Sequence, residues 1–162
     1  MQNQNQQATM MNMVYLTMMT GGVLTHNEPG QLISNYIVYK LNLKSSKWEH
    51  FSQLKSERVG HQSTIIGNKM YSVGGFNFNT DTCLADTEIL PISKTDKTLH
   101  PTIPTMHNER YLFGMCSFAG CNFVAGGQNN TNGILDKCEI YSTDSCKWVE
   151  ASSLYTKVVG LI

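Results

Sequence analysis

No apolar run in this sequence is built to cross or enter a membrane. The segment Met10 to Met19 is too short to span a bilayer, and no Lys or Arg precedes it as a secretory leader requires. Charge imbalance is missing too: twelve basic residues face twelve acidic ones, and charged residues make up only 15% of the 162. Nucleic acid and anionic lipid both reward clustered Lys and Arg, so neither is an expected partner. Metal-ligand spacing is absent. His26, His50, His61, His100 and His107 include no His-x-His or His-x-x-x-His pair, and the acidic residues are scattered singly, so no metal or other cofactor is expected. No Ser or Cys lies in a nucleophile elbow, and no glycine pair is followed by the helix and Lys of a phosphate cradle, so no catalytic residue is assigned. Cys83, Cys116, Cys121, Cys138 and Cys146 are an odd number without metal-site spacing. They read as free, mostly buried thiols in a reducing compartment, which points to the cytoplasm.

What is present is a pattern. From Arg58 through Gly60-His61 the chain runs into two apolar, β-branched stretches flanking Gly67-Asn68, the second of which stops at Gly74-Gly75. Alternation around a turn pair predicts a β-hairpin ended by the glycines. The pattern returns 52 residues later, from Arg110 through a turn at Ala119-Gly120 to Gly126-Gly127, and Met13 to Gly21-Gly22 supplies the second half of an earlier copy. Each glycine pair is expected where the backbone approaches a neighbour closely or takes positive φ. Tyr39 precedes Trp48 as Tyr141 precedes Trp148, and Leu54 and Leu154 follow at one spacing, which marks a third and fourth strand per unit. The middle unit has Leu90 in place of the tyrosine and Leu99-His100 in place of the tryptophan, and Val158 stands where an arginine is due.

A period near 50 residues, with a glycine pair, then a tyrosine, then a tryptophan, resembles the kelch repeat. The resemblance implies an all-β fold: kelch-type β-propeller blades of four antiparallel strands, here in an incomplete ring. On that reading residues 1–11 are a disordered Gln/Asn-rich tail and 12–53 a partial blade with strands b to d. Residues 54–105 and 106–153 are blades, and 154–162 open a further one. Trp48 and Trp148 are expected to pack between blades. Propellers close with about four to eight blades, so three leave an apolar flank at each end. The chain is expected either to be a piece of a longer protein or to self-associate through its open blade edges.

In a blade of alternating strands, the b-to-c and d-to-a connections emerge on one face. Long loops on a rigid scaffold are where recognition residues lie. The expected partner-binding set is therefore Phe76, Asn77, Phe78 and Asn79 in one b-to-c loop, Gln128, Asn129 and Asn130 in the next, and Arg58, Arg110 and Tyr111 at the rim. Aromatics beside amides and arginine suit a protein interface. The two arginines have a structural alternative, in which they tie blades together through backbone carbonyls or Glu88 and Glu139. The resemblance implies a non-catalytic scaffold or adaptor for a protein or peptide, cytoskeletal or related to a ubiquitin ligase. Some members of that family are enzymes, including copper radical oxidases and a sugar epimerase, so a fragment of a kelch-fold enzyme is the alternative. A copper site of Tyr, His and modified Cys cannot be placed on these three units.

Overall fold

In the computed structural model, residues 18–20, 23–25, 32–34, 36–92 and 103–160 are described. The tail at 1–11, Gly21-Gly22 and the weak last strand expected near Leu99-His100 lie outside them. The first unit contributes β1 (Met18–Thr20), β2 (Val23–Thr25), β3 (Leu32–Ser34), β4 (Ile37–Asn42) and β5 (Lys47–Gln53). The second contributes β6 (Gln62–Ile66), β7 (Lys69–Val73), β8 (Phe76–Asn77), β9 (Thr82–Cys83) and β10 (Thr87–Pro91). The third contributes β11 (Gly114–Phe118), β12 (Cys121–Ala125), β13 (Gln128–Asn129), β14 (Gly133–Ile134), β15 (Cys138–Ser142) and β16 (Lys147–Ala151).

Among the described residues three antiparallel sheets of three or four strands result, beside three two-stranded ribbons. The third is a complete blade in the order β11-β12-β15-β16, the second shows β10-β7-β6, and the first shows β1-β4-β5. The hairpins turn where the sequence places them. Gly67 takes φ 59° between β6 and β7, and Ala119 and Gly120 take φ 49° and 75° between β11 and β12. One positive φ at the first central residue, or two in succession, are the turns whose twist matches paired strands. The fold is all-β: antiparallel sheets repeat along the chain as propeller blades do, stay open, and close no ring among the described residues.

Strand alternation decides which side chain meets which blade. In β7, Tyr71 and Val73 point to the third blade, where they pack with Phe113, Val124, Tyr141 and Trp148, while Met70 points to the first and packs with Val38 and Leu54. Tyr141 lies 5.4 Å from Trp148 and 6.0 Å from Tyr71, ring centre to ring centre, so these aromatics tie the second blade to the third. Leu90 fills the tyrosine's place in the second blade and packs with Val38 and Met70. Trp48 departs from expectation. It is 47% exposed where Trp148 is 5% exposed, because the face of the first blade that carries it meets no neighbouring blade among the described residues.

The glycine pairs have the expected cause. Gly75 N donates to Arg110 O, and Gly127 N to Val158 O, both at 2.8 Å, so the second glycine of each pair bonds to the next unit's entry. A Cβ on Gly74 would lie 2.6 Å from Arg110 O, and one on Gly126 would lie 2.6 Å from Val158 O. Val158 can replace arginine there because the hydrogen bond to the glycine pair uses its backbone carbonyl, while its Cγ2 closes on Gly126 beside it.

Candidate partner-binding face

The d-to-a crossing is built first, because everything on this face hangs from it. Arg58 is fully buried: its Nη1 donates to Gly74 O at 2.7 Å, and its Nη2 to Asp86 at 2.9 Å and Glu88 at 2.6 Å. Arg110 repeats this in the third blade, donating to Gly126 O and Lys137 O, both at 2.8 Å, and to Glu139 at 2.7 Å. Each acid then holds the chain arriving from the previous blade. Glu88 accepts from Lys55 N and Ser56 N, and Glu139 from His107 N and Asn108 N. Burial alone would raise the Glu139 carboxyl. Hydrogen bonds from His107, Asn108 and Arg110 outweigh burial and hold it below its ordinary range. Arg58 and Arg110 are therefore not rim residues open to a partner. Their charge is used to fasten each crossing to its own blade.

The b-to-c connections also differ from open loops. Each is a short ribbon, β8 with β9 and β13 with β14, and β2 with β3 makes the same ribbon in the first unit. Asn77 Oδ1 accepts from Asn79 N, and Asn129 Oδ1 from Asn132 N, so the first Asn of each ribbon bends its own turn. Asn129 is buried, with Nδ2 donating to Glu109 O at 3.1 Å, and Asn79 Nδ2 donates to Glu57. Phe76 is buried as well, paired through its backbone with Val59. Neither Phe76 nor Asn129 offers its side chain to a partner. Their place in the turn is set by packing that the sequence pattern does not show.

What remains at the surface is compact. Phe78, 43% exposed, stands edge-on to Phe76 with ring centres 5.4 Å apart, and Phe76 lies 5.2 Å from Tyr111. Tyr111 pairs through its backbone with Gln128, so this aromatic row runs from the second ribbon to the third. Asn79 and Asn130 are exposed, and Asn77, Gln128 and Tyr111 are half-buried. Beneath the third ribbon is an open cleft of about 380 Å³, lined by Asn108, Asn132, Ile134, Leu135, Asp136, Lys137 and Lys157. Lys137 occupies the place of Asp86 in the second blade, one period earlier, and reverses the charge there. The lysines of the cleft were missed by pattern reading; only the period, once registered by the paired acids, points to them.

Among the described residues no three His, Cys, Asp or Glu side chains gather at metal-binding range. The five cysteines are free, but Cys116 and Cys146 are exposed and the other three only half-buried, against the expectation of mostly buried thiols. Cys116 opposes Phe123 and Cys121 opposes Phe118, so these two are diagonal neighbours rather than a directly facing pair. Burial, with Glu109 adding to it, pushes the Cys83 thiol up to about 12 and keeps it protonated.

Comparison with known proteins gives results of three kinds. Residues 109–155 match the model of the kelch motif. Over 116 residues, 72% of this chain, it is 24% identical to a kelch repeat and BTB domain-containing protein 2 of cowpox virus and 22% identical to that of horsepox virus. The match spans 20% of each relative, so this chain covers about a fifth of their length. The solved structure of YjhT superimposes with a TM-score of 0.76 at 14% identity, covering 91% of this chain and 53% of that one.

Proposed function

From the premise that this chain is built of kelch repeats, with the motif explicit at residues 109–155, we propose that it is a non-catalytic protein-interaction module. It captures a protein or peptide segment on the face that carries the b-to-c ribbons. The carrying observation is the aromatic row Phe78, Phe76 and Tyr111, which is exposed at one end and held rigid by packing at the other. A rigid aromatic loses little conformational entropy on binding and anchors an interface efficiently. Beside it, the cleft with Lys137 and Lys157 offers polar contacts to the same segment. The names of the poxviral relatives join kelch repeats to a BTB domain, which suits an adaptor role, in a ubiquitin ligase or on the cytoskeleton. Free thiols fit a reducing compartment such as the cytoplasm. No helix of the described residues is long and apolar enough to cross a membrane.

The test is selection of binders from a random-peptide display library on the folded chain, followed by titration against Phe78→Ala. An exposed anchor of this kind contributes about 1.4–2 kcal/mol, so binding should weaken about 10- to 30-fold with circular dichroism unchanged. Selected peptides that ignore Phe78, Lys137 and Lys157 alike would remove this face from the function.

A further inference from the structure

We propose that Leu112 is an anchor of the partner-binding face, placed to receive an apolar side chain from the captured segment. The proposal rests on the interaction reading above and adds to it the chemistry that the partner presents. Leu112 takes φ 54° and is 42% exposed. Left-handed backbone is strained for a bulky L residue, and glycine is the residue that adopts it freely. Glycine fills the equivalent places in the neighbouring units. Gly60, Leu112 and Gly160 each stand two residues past Arg58, Arg110 and Val158, and the two glycines have φ 60° and 77°. The three positions are hydrogen-bonded in series: Leu112 N donates to Gly60 O at 2.7 Å, and Gly160 N to Leu112 O at 2.8 Å. That series holds the same backbone conformation at each crossing whatever the side chain, so leucine is strained here where glycine would not be.

A singly exposed leucine is ordinary, but one held at a conformational cost is not, and strain of this kind gathers at binding sites. Core packing does not account for it: Leu112 belongs to neither apolar core, whereas its neighbour Phe113 is fully buried. Its side chain rests over Gly60, where an added Cβ would lie 3.2 Å from Leu112 Cδ2. Gly60 follows Val59, which pairs with Phe76, and Leu112 follows Tyr111, which pairs with Gln128. The leucine therefore adjoins the aromatic row of Phe78, Phe76 and Tyr111 where the second and third blades meet. A side chain supported from below by backbone and restricted in φ loses little freedom on contact, as an anchor should. Its own chemistry is wholly apolar, so what it receives is an aliphatic or aromatic side chain and not a charge.

The experiment takes peptides selected on the wild-type chain from a random-peptide display library and titrates them against variants of the folded chain. The selected peptides should share an aliphatic or aromatic residue. Leu112→Gly and Leu112→Ala both remove the anchor and should weaken binding about 10-fold with circular dichroism unchanged, while Leu112→Met should recover most of the affinity. Because glycine relieves the left-handed backbone and alanine does not, Leu112→Gly should melt about 2–4 °C above Leu112→Ala. Peptides that weaken with Phe78→Ala yet bind Leu112→Gly as they bind wild type would overturn this proposal alone. So would selected peptides that share only charged residues, or a Leu112→Gly variant that melts below Leu112→Ala. Peptides indifferent to Phe78, Lys137, Lys157 and Leu112 alike, or a library that yields no binder, would overturn the interaction reading along with it.

Discussion

Glu139→Gln keeps the shape of the side chain and removes its charge, at a carboxylate that is fully buried and surrounded by donors. His107 supplies its N–H at 2.7 Å and Nδ1 at 3.0 Å, Asn108 its N–H at 3.0 Å and Nδ2 at 3.2 Å, and Arg110 its Nη2 at 2.7 Å. An amide has one acceptor oxygen, so whichever way it turns its NH₂ meets N–H groups and the Arg110 charge loses its counter-ion. Breaking a buried pair from one side costs about 3–5 kcal/mol. Arg110 keeps the carbonyls of Gly126 and Lys137, which places the loss near the lower end, about 3 kcal/mol. In urea, with a slope of about 1–3 kcal/mol per molar, the midpoint should fall by about 1–3 M. Fluorescence of Trp148, in the same blade, reports it. Glu88→Gln is the internal comparison, since Arg58 keeps Asp86 as a second acid and should make this loss the smaller one. The pH dependence has a definite sign. The Glu139 carboxyl is depressed in the folded state, so its contribution is complete above the ordinary value of 4.5 and lost as pH falls through the lower folded value. Glu139→Gln should lack that acid limb. A loss under about 1 kcal/mol, or one no larger than that of Glu88→Gln, would refute the idea that this carboxylate fastens the crossing.

Two further outcomes follow from the same geometry. Burial, and then Arg58, lower His61 to about 4 from 6.5, so the unfolded chain takes up a proton that the folded one refuses. Stability from this group is complete above 6.5 and should fall by about 3 kcal/mol as pH drops to 4, a slope absent in His61→Gln; equal slopes in chemical denaturation would count against it. Gly126→Ala and Gly133→Ala both place alanine at positive φ, at 64° and 65°, for about 1–2 kcal/mol of backbone strain. Only the new Cβ at position 126 would meet a neighbour, Val158 O at 2.6 Å and its Cγ2 at 2.7 Å, so it should lose about 1–3 kcal/mol more, whereas equal melting shifts would mean that close approach is not what selects glycine there.

The repeat, the hairpins and the glycine pairs were legible in the residues because each is a local rule: alternation with period two, a turn pair between apolar stretches, a glycine where φ must be positive. The same reading gave every strand of the complete third blade, since all four are short alternating runs bounded by turn residues. It set Phe76 and Asn129 among the partner-facing residues, where the folded chain buries them, and left Arg58 and Arg110 open between that role and ties to backbone carbonyls or Glu88 and Glu139, of which the folded chain shows the second. An arginine or a phenylalanine in a polar stretch looks alike whether it faces solvent or a neighbouring turn, so the choice for Arg110 between a partner and Glu139 is made in the folded chain, as is the contact of Phe76 with Tyr111. Trp48 and Trp148 occupy equivalent places in their repeats, yet one is open and the other closed. The sequence by itself determined the blade, its period and the backbone turns within it. Tertiary structure alone decided which charges are consumed in fastening blades and which aromatics stay exposed, because burial is a property of what packs against a face and not of the residues on it.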